Sequence, residues 1–533
     1  MMYVMNMNTP ELLKPETQLL MSCASTEGSR SKILEIVNQD INWIYLIHLA
    51  EYHDVLQLLY LNIREICPHI VPLDIFTYLE ERFQENVKNS LLITAELFKV
   101  FRLLQENEIN AIPFKGPSLA VYAYENLSLR ISRSIDVYIP EEDTRLARLI
   151  LSSQGYQKKF GGSKTFPHYS FANEQSGANV EVHWKFPTYP FSFPHEFDKC
   201  INLSELPKLE INNNHFPSLL PEDQILVLSL RNAASNWYTL SKICDISELV
   251  KHQKINWHSL LEKGDKLYLK RIVLTNLSLA HQLLDLKLPG FILNEINADN
   301  KLEVIKQLII NDFLFFYRYI QNTLYQEASL HLKIREHSLY GIKDFFNLLT
   351  ASDGEGKKSL TSRYIKDPLK LIQNKGLVRP RVFVNYAPSS PSVIDHMLKL
   401  ADVTENDVVY DLGCGGGHIV IMAAKKYGAR GVGVDVDPDR IIESRKNAKK
   451  EGVETLTKFI EKDIFKTNLA EASVITLWLT PLHMEKLKSK FKEELLPNTR
   501  IVSRNFEMEG MVPKKTAIVK SDQELSRIYL WQI

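Results

Sequence analysis

The chain has 533 residues, with 64 basic and 64 acidic side chains, so its formal net charge is zero. This length predicts more than one domain, and the balanced charge excludes an overall electrostatic attraction to nucleic acid or to an anionic membrane. No apolar run is long enough to span a bilayer, and the first residues lack the pattern of a secretory signal. We therefore expect a cytoplasmic protein with no membrane partner and no evident nucleic-acid partner.

The first 350 residues are predicted to form one α+β domain with a helical extension. Its core is placed at about 85–200 and its helical half at about 215–350, because strand-like and helical patterns mix in the first part and only helical spacing follows. The predicted strands of the core lie at 112–114, 135–139 and 180–184, and its predicted helices at 86–108, 118–125 and 144–151.

A glycine-rich, charged segment without periodicity begins at Ala351 and predicts a linker over 351–375. The second domain then covers 376–533. Short apolar strands alternate there with helical patterns, which predicts an α/β domain with a Rossmann-like, doubly wound parallel sheet. Ligands of such sheets bind at the carboxyl ends of the strands. The predicted strands lie at 408–410, 430–434, 456–460, 473–479, 500–503, 516–520 and 526–531.

The most informative motif follows the first strand of this second domain, where the chain reads Asp411-Leu-Gly-Cys-Gly-Gly-Gly-His. Gly413, Gly415 and Gly417 stand at alternate positions, which permits a tight turn and a close approach of a ligand to the backbone. Asp435 ends the second strand, where a carboxylate can accept hydrogen bonds from both hydroxyls of a ribose. The motif therefore predicts an adenosyl cofactor.

Two cofactor classes share this outline. A dinucleotide site needs a third glycine where this chain has His418, and the carboxylate of Asp411 would repel a pyrophosphate. The same carboxylate attracts the ammonium of a methionine moiety. The motif thus favours S-adenosylmethionine over NAD, with a glycine-rich turn in another parallel-sheet domain as the alternative. Asp463 follows the third strand and is predicted to accept a hydrogen bond from the adenine amino group; alternatively it is a solvated loop acid.

These residues resemble class I S-adenosylmethionine-dependent methyltransferases over about residues 380–533. Within this class the chain is most similar to the non-SET protein-lysine methyltransferases, which include the enzymes that methylate the ATP synthase c-subunit. The matching flanks are Tyr386-Ala-Pro-Ser-Ser-Pro-Ser-Val, Thr476-Leu-Trp-Leu-Thr-Pro and Arg500-Ile-Val-Ser-Arg-Asn-Phe. The resemblance implies S-adenosyl-L-methionine as cofactor and a protein, a peptide or a small molecule as methyl acceptor. Gly416 departs from the acid that this branch often carries there.

The resemblance makes Tyr386, Trp478 and Asn505 the catalytic candidates. Methyl transfer needs mainly in-line placement of a neutral nucleophile. Tyr386 and Trp478 are expected to pack on the sulfonium or on the acceptor methylenes by cation–π contact, and Asn505 to accept a hydrogen bond from an amine. The alternative is that Trp478 belongs to the core and Asn505 to an ordinary loop.

The first domain resembles an uncharacterised nucleotidyltransferase family with a DNA polymerase beta-type fold, over about residues 30–300. The matching residues are Phe114-Lys115-Gly116, Arg130, Ile135-Asp136-Val137, Val180-Glu-Val-His-Trp184, Leu220-Pro-Glu-Asp-Gln224 and Ile243-Cys-Asp245. The implied chemistry uses carboxylates to hold two Mg²⁺ ions against a nucleoside triphosphate.

Two departures from this family bear on its activity. Asp136 and Glu181 are the candidate metal ligands, but Ser134 stands where the family usually has a further aspartate. Arg231 and Ser235 likewise stand where histidines are usual. The first domain is therefore either an active Mg²⁺-dependent nucleotidyltransferase or a degenerate module that binds a nucleotide or recruits a substrate. Lys115 and Arg130 are candidate phosphate contacts, or else solvated charges.

We expect the whole chain to be an S-adenosylmethionine-dependent methyltransferase that acts on a protein lysine or a peptide amine, with the first domain degenerate or recruiting substrate. The alternative is Mg²⁺-dependent nucleotidyl transfer as the main activity, fused to a modifying methyltransferase.

Overall fold

The structure of the protein is a computed structural model. The structure describes residues 14–161, 167–186, 191, 206–314, 330–350, 389–479, 481–508, 510–521 and 525–533. They form two compact units, one before and one after the segment 351–388. The predicted linker over 351–375 lies outside the described residues, so the proposed domain boundaries stay predictions. Among the residues described, no helix combines the length and the apolar character that crossing a membrane requires.

The first unit opens with helices that precede its sheet. These are α1 Pro15–Cys23, α2 Arg30–Val37, α3 Trp43–Tyr52, α4 Leu56–Ile66 and α5 Leu73–Glu106. Helix α5 has 34 residues, and its Leu97, Val100 and Leu104 join the core formed with the sheet. The helix predicted over 86–108 is thus the later part of a longer one, which begins at Leu73.

The sheet of the first unit has five strands in the order β1-β2-β5-β4-β3. They are β1 Ile112–Pro113, β2 Ile135–Tyr138, β3 Tyr156–Gly161, β4 His168–Asn173 and β5 Asn179–His183, with helices α6 Pro117–Tyr124 and α7 Thr144–Ser153 between them. Strands β2 and β5 are parallel, with Asp136 opposite Glu181. The three predicted strands are present, whereas β3 and β4 were missed.

A hairpin and a series of helices complete the first unit. They are β6 Lys208–Ile211, β7 Asn214–Pro217, α8 Pro221–Ala234, α9 Leu240–His252, α10 Trp257–Lys266, α11 Lys270–Leu284, α12 Gly290–Ala298, α13 Asn300–Leu308 and α14 Ser338–Thr350. Helices follow residue 220 in the described residues, as the apolar spacing predicted, whereas the hairpin was missed.

The second unit is a seven-stranded sheet in the order β10-β9-β8-β11-β12-β14-β13. Its strands are β8 Val408–Leu412, β9 Arg430–Asp435, β10 Thr457–Glu461, β11 Val474–Leu477, β12 Arg500–Arg504, β13 Lys515–Lys520 and β14 Leu525–Gln532. Its helices are α15 Pro391–Leu400, α16 His418–Tyr427, α17 Pro438–Glu451 and α18 Pro481–Glu494. Strands β8 to β12 are mutually parallel, and β14 is antiparallel to both β12 and β13.

Helices cover both faces of this sheet. Tyr410 packs in one apolar cluster with residues of α18, such as Leu487, whereas its neighbour Val409 packs in another with Met397 of α15. Successive side chains of a strand point to opposite faces, so a strand buried on both sides needs a continuous apolar run. The predicted doubly wound fold is confirmed.

A buried carboxylate joins the amino ends of three neighbouring strands. Asp407 precedes β8 and accepts hydrogen bonds from Thr404 N at 2.8 Å and from Ser473 Oγ at 2.7 Å. It also accepts one from Arg500, whose Nη1 donates to the carbonyl of Ala401 at 2.6 Å. Burial raises the pKa of Asp407, but the bonds from Ser473, Thr404 and Arg500 outweigh it and hold that pKa below its usual value.

We predict that Asp407→Asn loosens the ends of β11 and β12. The change removes the charged partner of the Arg500 guanidinium and costs about 1–3 kcal/mol. Amide hydrogen exchange in the peptides that contain Ser473 and Arg500 should therefore become faster. Because the pKa of Asp407 is depressed, its stabilisation is present above about pH 4 and disappears as the pH falls through the lower folded-state pKa.

The control for this prediction is Asp402→Asn. The side chain of Asp402 is 76% exposed, and its φ of 49° suits asparagine. Equal exchange rates in the two variants would show that the Asp407 network does not hold these strands together.

Candidate functional site

The glycine turn connects β8 to α16. Gly413, Gly415 and Gly417 have φ values of 90°, 49° and 80°, a region that favours glycine. A Cβ at position 417 would lie 2.7 Å from the ring of Phe459, so only glycine fits there. The amide nitrogens of Gly413 and Cys414 donate to the carbonyl of Val434, at 2.8 and 3.0 Å, and hold the turn against the next strand.

The carboxylate of Asp435 supports the same turn. Gly415 N donates to its Oδ2 at 2.9 Å, and Asp437 N donates to its Oδ1 at 3.0 Å. A carboxylate oxygen accepts more than one hydrogen bond, so both oxygens keep capacity for a ligand. The backbone fixes the orientation of this side chain, and a ribose diol would meet a preorganised acceptor pair.

Asp411 is the most perturbed acid of the turn. It is 4% exposed, and Thr476 Oγ1 donates to its Oδ1 at 2.9 Å. Burial, opposed by the Thr476 bond and reinforced by the nearby charge of Asp435, raises the pKa of Asp411 to about 7. A buried carboxylate is costly to ionise. It therefore suits a positively charged ligand, because the ion pair stabilises the ionised form of the carboxylate.

The residues present fit the predicted cofactor. The glycine turn admits a ligand at the backbone, Asp411 suits the methionine ammonium and Asp435 suits the ribose. Asp463, which follows β10, has its carboxylate held by Phe465 N at 2.9 Å, and its adenine contact stays a prediction. The sheet order and this set of residues define a class I S-adenosylmethionine-dependent methyltransferase.

The acceptor side of the site starts at the end of β11. Thr476 pairs with Asp411, and Leu477 pairs with Leu412, so Trp478 follows the strand next to the glycine turn. A Cβ at Gly413 would lie 3.2 Å from Leu479 Cδ2, which shows how closely this segment covers the turn. Trp478 is half-buried, and its catalytic role stays a prediction.

Sequence reasoning missed Arg504, which packs on Trp478. Its guanidinium carbon lies 4.1 Å from the centre of the Trp478 ring, close enough for a cation–π contact. Its Nε donates to Ser526 Oγ at 3.0 Å and its Nη1 to Ser389 Oγ at 2.7 Å. The sequence signal was Arg504 itself, which lies within the matching segment at 500–506. Its partner Trp478 follows the neighbouring strand, and only the fold brings the two side chains together.

The other two catalytic candidates have different outcomes. Tyr386 lies outside the described residues. Asn505 is 3% exposed with a φ of 67°, and its Oδ1 accepts from Arg527 N at 3.0 Å. This bond gives Asn505 a structural role at the end of β12, and its predicted contact with an amine stays a prediction.

A second polar cluster lies in the first unit, on the parallel strands β2 and β5. Ligand atoms of Asp136, Glu181 and His183 lie within 4.8 Å of one another. His183 Nε2 is 3.3 Å from Asp136 Oδ1 and 3.4 Å from Glu181 Oε2. Sequence reasoning named the two acids but not His183, although it stands two residues after Glu181. Metal binding by Asp136 and Glu181 stays a prediction.

The donor set does not fit a pair of Mg²⁺ ions. Ser134 Oγ donates to Asp136 Oδ2 at 2.8 Å, so the residue in the place of the missing aspartate occupies one oxygen of the remaining one. Two hard dications need several anionic oxygens, and only two carboxylates are present in this cluster.

Arg130 pairs with an acid of the first unit and does not have the phosphate-binding role that the sequence suggested. Its Nε and Nη2 donate to the two carboxylate oxygens of Asp245 at 2.8 and 3.0 Å, and Tyr124 donates to the same carboxylate at 2.9 Å. The arginine thus joins the loop before β2 to α9. Lys115, by contrast, lies 3.4 Å from Asp136 Oδ1 and stays beside the cluster.

Comparison with known protein families agrees with this division of the chain. A family model described as "Uncharacterised nucleotidyltransferase" matches residues 39–285, and one described as "ANTKMT methyltransferase domain" matches residues 411–515.

Individual relatives match about a quarter of the chain. A "Protein-lysine N-methyltransferase" of Saccharolobus islandicus (strain REY15A) is 38% identical over 151 residues, which are 28% of this chain and 94% of that protein. The lysine N-methyltransferase of the ATP synthase c-subunit from Homo sapiens is 30% identical over 133 residues, 25% of this chain and 56% of that protein, so the chain spans little more than half of it. A crystal structure described as an RNA methyltransferase from Salinibacter ruber with S-adenosyl-L-homocysteine is 45% identical, with 28% of this chain and 94% of that chain covered and a TM-score of 0.26. Through its second unit the chain belongs to the same family of S-adenosylmethionine-dependent methyltransferases as the Saccharolobus enzyme.

We predict that the affinity for S-adenosylhomocysteine rises with pH through about pH 7 and levels off about one pH unit higher. Binding of the ligand ammonium requires the ionised form of Asp411, and a group with a pKa of about 7 is mostly protonated at lower pH. At about pH 6 the affinity should be about tenfold below its plateau, because about a tenth of the protein is binding-competent.

Titration calorimetry across this pH range checks the prediction, with Asp411→Asn as the comparison. The variant should bind weakly and lose the pH dependence. An identical pH profile in the two proteins would exclude Asp411 as the source.

Proposed function

We propose that the second unit methylates the side-chain amine of a lysine in a protein or peptide. The observation that carries this proposal is the 38% identity to a protein-lysine N-methyltransferase over 94% of its length. It is supported by relatives named as lysine N-methyltransferases of the ATP synthase c-subunit, which match 24–26% of the chain at 28–30% identity.

The site residues have complementary parts in this proposal. Asp411 and Asp435 hold the cofactor, with Gly413, Gly415 and Gly417 forming the turn beneath it. S-adenosylmethionine, when bound, supplies an electrophilic methyl group. The chain then has only to place a neutral amine in line and keep water away.

Trp478 and Arg504 form the wall of the acceptor side in this proposal. One face of the Trp478 ring carries the Arg504 guanidinium, so a lysine would pack its methylenes on the edge or on the other face. A poorly hydrated mouth favours the uncharged amine over the ammonium, and the uncharged amine is the form that reacts. We infer that Tyr386 and Asn505 complete this mouth.

We predict that the protein transfers label from [methyl-³H]S-adenosylmethionine to lysine in a polypeptide. The substrate source is a lysate of cells that lack the gene, since endogenous methylation would otherwise block the acceptor. Acid hydrolysis of the labelled band should yield methylated lysine. Asp435→Ala should abolish labelling. Loss of a preorganised, hydrogen-bonded carboxylate weakens the binding of the cofactor by about 30- to 100-fold.

The control variant is Asp439→Ala, an exposed acid four residues further along. It should label substrates like the unchanged protein. Label that appears only in RNA or in small metabolites, with no methylated lysine, would contradict the proposed acceptor while leaving cofactor binding intact.

A further inference from the structure

A charged pocket of the first unit lies outside the methyltransferase site. It surrounds Asp136, and we call it the Asp136 pocket. Its members come from β2, β5, the turn before α6, and helices α8 and α9. They are Lys115, Ser134, Asp136, Glu181, His183, Arg231 and Lys242.

The central carboxylate of this pocket is already surrounded by donors. Its Oδ2 accepts from Ser134, and its Oδ1 faces Lys115 Nζ at 3.4 Å, His183 Nε2 at 3.3 Å and Arg231 Nη2 at 4.0 Å. Burial raises the pKa of Asp136, but Lys115, His183 and Arg231 hold that pKa well below its usual value. A divalent ion at this oxygen would meet two like charges within a few ångströms.

Three cations lie together in the pocket. Lys115 and Arg231 face the carboxylate of Asp136, and Lys242 lies close enough to both cations to be repelled by them, while Asp54 and Asp245 attract it. Burial, together with repulsion by Arg231 and Lys115, lowers the pKa of Lys242 to about 8. Arg231, Lys115 and Lys242 thus lie close enough to repel one another, and an anion bound between them would relieve that repulsion.

Arg231 also has a buried hydrogen-bond donor for which no described residue is the acceptor. Its Nη1 is enclosed yet has no hydrogen-bond partner among the described residues. Lys242 Nζ donates to Ser235 Oγ at 2.5 Å, so the two departures from the nucleotidyltransferase pattern, at 231 and 235, together bring the second and third cations to the pocket. A buried guanidinium donor left unpaired is costly, and an anion would remove that cost.

We propose that the Asp136 pocket binds a phosphate-bearing ligand directly through Arg231, Lys115 and Lys242, without a divalent metal ion. A guanidinium offers paired donors that match two phosphate oxygens, and the two ammonium groups add point charges for a polyanion. The cations thus replace the metal that the missing aspartate at 134 would have helped to hold. This inference is independent of the methylation proposed for the second unit.

The test measures binding of inorganic pyrophosphate to the full-length protein by calorimetry, in excess EDTA and then in excess MgCl₂ or MnCl₂. Binding in EDTA is expected, and excess metal should not strengthen it, because the divalent ion competes for the oxygens of pyrophosphate. Arg231→Met should weaken it by about ten- to a hundredfold. Arg102→Met is the matched control, because Arg102 is an exposed arginine on α5.

Asp136→Asn separates direct binding from metal-bridged binding. Removing this negative charge should leave pyrophosphate binding in EDTA equal or stronger, whereas a metal-bridged complex would be lost. Binding that appears only with Mg²⁺ or Mn²⁺ and disappears in Asp136→Asn would overturn the proposal, and so would no binding under any condition. The far-UV circular dichroism spectrum and the thermal unfolding curve, which should be unchanged in every variant, report that the first unit is folded.

Discussion

The buried carboxylate of Asp411 is the constraint around which the methyltransferase unit is organised. It lies at the carboxyl end of a central strand, 4% exposed, with Thr476 as its hydrogen-bond donor and Asp435 as a second acid nearby. Two acids at adjacent strand ends repel each other, which raises the cost of ionising Asp411 in the free protein. A ligand with an ammonium at one end and a ribose diol at the other relieves this repulsion. Helices on both faces fix the positions of these strands, so the fold itself sets the separation of the two acids.

The two units shift the pKa of a buried aspartate in opposite directions. Burial and a neighbouring acid raise the pKa of Asp411, whereas two cations and a histidine depress that of Asp136. The first arrangement favours a cationic ligand, whereas in the second the aspartate already has cationic partners. An acid on a strand therefore does not by itself assign a metal. Its partners decide whether the pocket attracts a positive or a negative ligand.

Much of the fold followed from the sequence because its signals are local. The alternation of apolar strands and helices after residue 400, the glycine turn and Asp435 all lie within short windows. By contrast, β3 and β4 carry mixed residues, as in Tyr156-Gln-Lys-Lys, and are held mainly by pairing with each other and with β5. Partners distant in the chain were also invisible, such as Arg504 on Trp478 and Arg231 beside Asp136. The pairing of Arg130 with Asp245 changed the interpretation of a residue that sequence alone had offered as a phosphate contact.

The most direct test of the central claim compares two ligands that differ in the amino-acid group. S-adenosylhomocysteine carries the ammonium, and 5′-methylthioadenosine keeps the nucleoside but lacks it. If Asp411 binds the ammonium, Asp411→Asn will lower the affinity for S-adenosylhomocysteine by about tenfold or more. The affinity for 5′-methylthioadenosine will change by less than about twofold. Equal losses for both ligands in calorimetry would show that Asp411 supports the pocket as a whole, and would contradict its part as the counter-ion.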